Sequence, residues 1–467
     1  MPNTPSSYRP GHAAGAAFHA LVPAFAGGQD TPRAFLERCL EVIAVREPVV
    51  QAWVVRNEAG ARVAADESTL RWRQNRQLSP IDGMPIGIKD LLETRDMPTG
   101  MGCAAYRNNF PKRDNAAVWA LREAGAVVLG KTVTTELGGT HPGPTTNPFD
   151  PARTPGGSSS GSAAAVGAGM VPATIGTQVG GSIIRPASFC GNVALKPSQG
   201  AIHRGERQAT SQSTHGVHAH CIEDMWQVAF EIASRTGGDP GRPGLAGPAT
   251  PPAAHKPAVL GVMEGKGWDL LDNAARSAFE QVLSQIRNAG IIVLRRADLP
   301  DLEAFERSIE DAQSIAGLIT AWENQWSFRN LVAESPDGVS QRTKNVLASA
   351  EAMTPQDYRD LLERRDQAQR RHAALQSHVD ALIAPPAVGI APLRVNDEPG
   401  RPLVSNPTGN SVFNTPSSIL GAPAVTIPLI ALAGLPMGIQ VMGQQQADAR
   451  ITGIARWLME SMDPVLL

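Results

Sequence analysis

The stretch Gly176-Thr-Gln-Val-Gly-Gly-Ser182 ends a glycine-rich run on a hydroxyl. Acyl transfer calls for a nucleophile, a base to take its proton, donors for the developing oxyanion and an acid for the leaving group. This run supplies two of the four. Glycines before a serine let backbone N–H groups converge with no Cβ in the way. The amides of Val179, Gly180, Gly181 and Ser182 are therefore candidate oxyanion donors beside the Ser182 hydroxyl. A serine hydroxyl alone is a weak nucleophile, so an activating base has to come from elsewhere in the chain.

Three other patterns suggest different chemistry. Gly125-Ala-Val-Val-Leu-Gly130-Lys131-Thr132 fits the phosphate-loop template, but its middle residues read as a strand, not as a loop that turns amides toward phosphate. Gly157-Ser-Ser159-Ser-Gly161 fits a nucleophile elbow, which needs a strand immediately before the serine. What precedes it, Asn147-Pro-Phe-Asp-Pro-Ala-Arg-Thr-Pro-Gly156, is a poor strand. His215, His218, His220 and Cys221 resemble a metal cluster, since His218 and His220 on a strand would share one side. The plainer reading of that stretch is a polar loop edge. A metal-dependent amidohydrolase built on this cluster is the competing enzyme class.

Several segments in order carry a more specific signal. Gly156-Gly-Ser158-Ser-Ser-Gly-Ser162, Gly176–Ser182, Pro186-Ala-Ser-Phe-Cys-Gly191 and Leu195-Lys-Pro197 resemble the amidase signature family. Gly83-Met-Pro-Ile-Gly-Ile-Lys-Asp90 resembles its lysine strand. Gly421-Ala-Pro-Ala-Val-Thr-Ile-Pro428 and Gly434-Leu-Pro-Met-Gly-Ile-Gln440 resemble its closing segment. The resemblance implies Ser182 as nucleophile, Ser158 as a bridging serine after a cis peptide, and Lys89 as base. It further implies substrate contacts from Gly157, Met101 and Arg185, and hydrolysis of an amide or related C–N acyl bond with no metal or organic cofactor. To act as a base Lys89 must be neutral, against a reference pKa of about 10.4. Burial away from carboxylates lowers that value. Asp90 follows it on a strand and so points to the opposite face.

Many family members carry an acidic residue two before the Gly-Gly-Ser and an arginine two after it. Here those positions are Gln178 and Ile184, and the arginine comes one later, as Arg185. The stretch Thr177–Pro186 is similar to a branch that includes malonamidases and some urethane-cleaving hydrolases. Arg185 either grips a substrate carboxylate or carbonyl with its forked donors, or pairs with a distant carboxylate as structure. Trp322 and Trp326, at i and i+4, share a helix face and fit core packing better than an aryl pocket. Amide, carbamate and ester substrates all suit the same apparatus. A non-catalytic or amidotransferase-type subunit is the competing non-enzyme reading, although no tRNA-binding or ammonia-tunnel feature is visible.

Positioning these residues takes an α/β framework. Thr31 reads as a cap before a helix with Pro32 in its first turn and Phe35, Leu36, Cys39, Leu40 and Ile43 on one face. Strands at Gly83–Asp90 and Ala126–Leu129 alternate with helices such as Asn115–Ala124, and the alternation resumes at Val259–Val262, Asp272–Ala289 and Gly290–Arg295. Leu302–Asn330 and Pro355–His378 read as long helices, and Val379–Ala384 as a strand. The expected fold is one α/β/α body with a central mixed, largely parallel sheet. Residues 1–30 form an N-terminal extension and 31–467 one catalytic domain, with core motifs at 83–200 and a variable middle region at 251–378.

Composition narrows the partners. The 467 residues are 42% hydrophobic and 18% charged, enough apolar material for a large core, and the net charge of −2 offers no phosphate-tracking surface. Nucleic acid is not an expected partner. No segment reaches the roughly 18 uninterrupted apolar residues of a membrane span. The four cysteines are far apart with no CxxC pair, which fits reduced thiols and a cytoplasmic protein. A secretory leader in the Ala-rich N-terminus takes second place to that reading. A small-molecule amide or carbamate is the expected partner, and a homodimer is compatible with it.

Overall fold

The computed structural model describes residues 8–11, 15, 17–205, 210–398 and 400–467. Residues 1–7, 12–14 and 16 of the expected N-terminal extension lie outside the described residues. The remainder of that extension is tied to the body: Phe18 and Phe25 are buried in the main core, and the Tyr8 amide donates to the Gly434 carbonyl at 2.8 Å.

Among the described residues, twelve strands make one mixed sheet: β1 (Trp53–Arg56), β2 (Pro85–Lys89), β3 (Val127–Thr132), β4 (Ala173–Gln178), β5 (Val193–Lys196) and β6 (Thr214–Ala219). These are followed by β7 (Val259–Val262), β8 (Ile292–Leu294), β9 (Ala381–Ala384), β10 (Ala424–Leu432), β11 (Leu435–Met442) and β12 (Val465–Leu466). The order across the sheet is β1-β3-β2-β4-β6-β5-β10-β11-β9-β7-β8, with β12 beside β10. Parallel pairs join β2 to β3 and β4, and β7 to β8 and β9. Antiparallel pairs run through the centre, from β4 and β6 across β5 and β10 to β11 and β9.

Successive residues of β3 show why the fold has three layers. Val127 and Leu129 enter a core with Leu36, Leu40 and the alanines of the helix Ser160–Gly167. Val128, between them, enters the larger core with Ile86, Ile88 and the helix Ile222–Thr236. A side-chain period of two thus feeds two apolar layers, one on each face. Both faces of β2 are covered, and all five of its residues are buried. A strand covered on both sides reads as a nearly continuous apolar run. Its Gly87 is required by close approach, because a Cβ there would lie within 3.0 Å of the Thr132 and Thr174 methyls and the Trp53 ring.

The expected cap holds: Thr31 accepts from the Ala34 amide, and Phe35, Leu36, Cys39, Leu40 and Ile43 are buried. The phosphate-loop look-alike is β3, a buried strand, as its Val-Val-Leu requires. The single helix expected over Leu302–Asn330 is two, Pro300–Ser308 and Ala312–Glu334. The break falls where the Ser308 hydroxyl bonds back to the Phe305 carbonyl and the Asp311 carboxylate turns out to Lys266 and Arg364. The stretch read as a polar loop edge, His215–Cys221, lies mostly in β6, a buried inner strand paired on both sides. Its residue types are polar, but its backbone is satisfied by two neighbours. Among the described residues no helix is long and apolar enough to cross a membrane.

Candidate active site

Lys89 ends β2 with its side chain fully buried. Its Nζ lies 2.7 Å from Ser158 Oγ, 2.8 Å from Thr177 Oγ1, 3.0 Å from Ser159 Oγ and 3.4 Å from the Thr177 carbonyl. Every partner is neutral. Burial alone, with no carboxylate to offset it, pulls the ammonium well below the ordinary lysine range. The strand turns Asp90 the other way, where its carboxylate sits 2.9 Å from Lys131 Nζ and accepts from the Gly100 amide.

The Gly157–Ser158 peptide is cis, as the resemblance implied. The Ser158 carbonyl accepts from the Thr135 amide, and the Ser159 hydroxyl is fixed by both the amide and the carbonyl of Thr177. The helix Ser160–Gly167 starts at once, with no strand before the serines, so the elbow template fails on geometry. Gly161 in this helix passes so close to the Ala52 carbonyl and the Val133 amide that a Cβ would lie 2.2 and 2.4 Å from them. The helix start is thereby pinned against the sheet.

Ser182 sits in the turn between β4 and the helix Ile184–Phe189, and its carbonyl meets the Ser159 amide at 3.4 Å. Among the described residues, the amides of Val179, Gly180, Gly181 and Ser182 donate to no acceptor. Gln178 shapes this turn. Its Oε1 accepts from the amides of Ile183 and Ile184 at 2.8 and 3.1 Å, while its Nε2 faces the Ser417 and Ser418 hydroxyls. Ser418 in turn donates to the Gly180 carbonyl.

Among the described residues Arg185 is buried without a carboxylate partner, which corrects the reading of it as one half of an ion pair. Its Nε donates to the Thr408 carbonyl at 2.8 Å, and its Nη2 to the Gly157 carbonyl at 2.7 Å and to Thr408 Oγ1 at 3.1 Å. Burial lowers its pKa to about 10. Two carbonyls and a hydroxyl thus hold Nε and Nη2, while Nη1, beside Gly181, has no partner among the described residues. Gly157 is held in the same contact, and a Cβ on it would press on Thr408 and Thr135.

Next to these residues opens a cavity of about 1220 Å³. Thr177 belongs both to its wall and to the Lys89 contacts. Met101 is on that wall, whereas Arg185 and Gly157 are not. Tyr106, Leu137, Phe328 and Trp326 add apolar surface. Trp326 is 72% exposed on the cavity side, while Trp322 stacks on the Tyr358 ring at 5.5 Å. Core packing therefore fails for Trp326: one helical turn separates a residue stacked on a ring from a residue on the rim.

The histidines do not converge. His215 lines the cavity; His218 lies over Gly176, close to Ser159; His220 approaches Gly15 and Gly169. Cys221 caps the helix Ile222–Thr236, accepting from the Asp224 amide. Strand alternation separates residues 215 and 218, and β6 ends before residue 220. Among the described residues no three His, Cys, Asp or Glu side chains are grouped to hold a metal. The donor set of the metal-hydrolase alternative is thus dispersed.

The structure sets Ser158 against Lys89 and adds Thr177, Ser159 and Gln178, which the sequence does not single out as supports. Thr177 and Gln178 are inside the glycine-rich run, so strand alternation up to Gln178 was the available signal. Ser159 was seen only as a rival nucleophile.

The family model described as "Amidase" matches residues 34–452, and the chain belongs to that family, the amidase signature enzymes. It is 30% identical to a glutamyl-tRNA(Gln) amidotransferase subunit of Chloroflexus aurantiacus, over 92% of this chain and 93% of that protein. A solved amidase structure superposes with a TM-score of 0.81 at 28% identity, covering 95% of this chain and 99% of the other. The peptide amidase of Stenotrophomonas maltophilia does so with a TM-score of 0.77 at 25% identity, covering 96% and 98%. An amidase-type enzyme is the class these matches define.

Proposed function

We propose that this enzyme hydrolyses a carboxamide or carbamate of a small molecule through an acyl-enzyme on Ser182. The observation that carries the reading is Lys89: fully buried, among hydroxyls and a carbonyl only, and held well below its usual pKa. Such a lysine is neutral and accepts a proton. Ser182 Oγ attacks the carbonyl carbon, its proton passes to Ser158, and the Ser158 proton passes to Lys89. A hydroxyl serves this relay because it donates and accepts at once. The unpaired amides of the turn 179–182 receive the oxyanion. Collapse breaks the C–N bond, the relay returns a proton to the leaving nitrogen, and water then releases the acyl group along the same path.

A second reading follows from the similarity to an amidotransferase component, in which activity would depend on partner proteins. The wide cavity, with Met101, Tyr106, Leu137, Phe328 and Trp326 on its wall, favours a free organic substrate. Turnover of aryl amides and aryl carbamates by the purified chain tests the proposal. Ser182→Ala should lower kcat at least 10³-fold while the melting temperature stays within about 3 °C; near-normal turnover by that variant would end it.

A further inference from the structure

Resting on the acyl-enzyme reading above, we infer that His215 is a specificity-determining residue that hydrogen-bonds the polar group flanking the scissile carbonyl of a bulky, uncharged substrate. His215 is 7% exposed, yet among the described residues neither ring nitrogen makes a hydrogen bond of full geometry, although the Arg204 backbone lies close. Buried polar atoms are nearly always paired, and leaving one unpaired costs about 1–3 kcal/mol. The imidazole lines the cavity, so what it lacks is a partner that the cavity would bring.

Its place in the sheet sets the partner's position. His215 is the cross-strand neighbour of Thr177, whose hydroxyl is 2.8 Å from Lys89 Nζ. Directly opposed residues share a face, with Cβ atoms roughly 4.5–5.5 Å apart. The imidazole is therefore one side chain removed from the base, on the cavity wall that Thr177 shares.

Its charge sets the kind of partner. Burial, then the Arg204 charge, depresses the imidazole to about 3, against opposing effects of Asp239 and of the Arg204 backbone. The ring is neutral across the physiological range and offers one N–H donor and one lone pair. It has no charge with which to hold a carboxylate. It suits a carbamate or amide N–H, with an aryl or aralkyl body laid along Met101, Leu137, Phe328 and Trp326.

Two acylating probes of the same shape isolate that contact. The p-nitrophenyl ester of N-benzylcarbamic acid carries N–H where p-nitrophenyl 3-phenylpropanoate carries CH2. Nitrophenol release gives the acylation constant of each with the unmutated enzyme, with His215→Phe, which keeps a flat ring without nitrogens, and with His215→Asn, which keeps donor and acceptor. If the Phe variant does not fold, His215→Leu is read in its place. The carbamate constant should fall about tenfold more than the phenylpropanoate constant in the Phe variant, and His215→Asn should restore part of the difference. Equal losses on both probes, or no loss on either, would overturn the role of His215 while leaving Ser182 as nucleophile. Failure of both probes to acylate Ser182 in the unmutated enzyme would overturn the acyl-enzyme reading and this inference together.

Discussion

Lys89 and Asp90 are consecutive, but the lysine faces three hydroxyls while the carboxylate lies 2.9 Å from Lys131. The carboxylate adjacent in sequence is thus paired with Lys131 and not with Lys89. That pairing leaves Lys89 uncompensated, and a desolvated amine without a counter-charge is a base at neutral pH.

That isolation has a signature in stability. An unfolded lysine titrates near 10.4, whereas buried Lys89 titrates well below. Between those values the unfolded chain holds one proton more than the native one, so stability rises with pH across that window and is lost toward acid. Lys89→Met removes this contribution. Melting temperatures from pH 7 to 10 should climb less steeply in Lys89→Met than in the unmutated enzyme, and its turnover should be at least 10³-fold lower. Parallel slopes would mean that Lys89 is charged in the fold.

Gln178 holds the Ser182 turn with its amide oxygen, which accepts from two successive backbone amides. Gln178→Ala strips the Ile183 and Ile184 amides of their acceptor. The expected cost is about 2–4 kcal/mol in denaturant unfolding together with a tenfold or greater loss of kcat. Full activity in a destabilised variant would show that the Ser182 turn keeps its shape unaided.

Arg185 bridges Thr408 to the Gly157 carbonyl, beside Ser158. Lysine cannot reproduce a planar fork that reaches two carbonyls. Arg185→Lys and Arg185→Gln should each lower kcat about 10- to 100-fold, by equal factors on acidic and neutral substrates. A loss confined to acidic substrates would make Arg185 a carboxylate grip instead.

Much of this site was legible because its residues lie in short segments of unusual composition. Gly-Met-Pro-Ile-Gly-Ile-Lys reads as a short strand, and the residues after Thr31 read as a capped amphipathic helix; both stand as such. β6 did not read correctly. Thr-His-Gly-Val-His-Ala lacks apolar alternation, and only pairing on both sides makes it an inner strand with buried, neutral imidazoles. Arg185 was visible by type but not by partner, since its acceptors are the Thr408 and Gly157 carbonyls, 223 and 28 residues away. Trp326 failed for a similar reason: helical spacing gives a face, and only the tertiary fold decides what that face meets.

The central claim is that Ser182 is made nucleophilic by Lys89. Intact-protein mass spectrometry after exposure to an arylsulfonyl fluoride, with peptide mapping of the adduct, tests it directly. A single adduct on Ser182, absent from Lys89→Ala, is the predicted result. An adduct on Ser159, or labelling of Ser182 that is undiminished in Lys89→Ala, would contradict it.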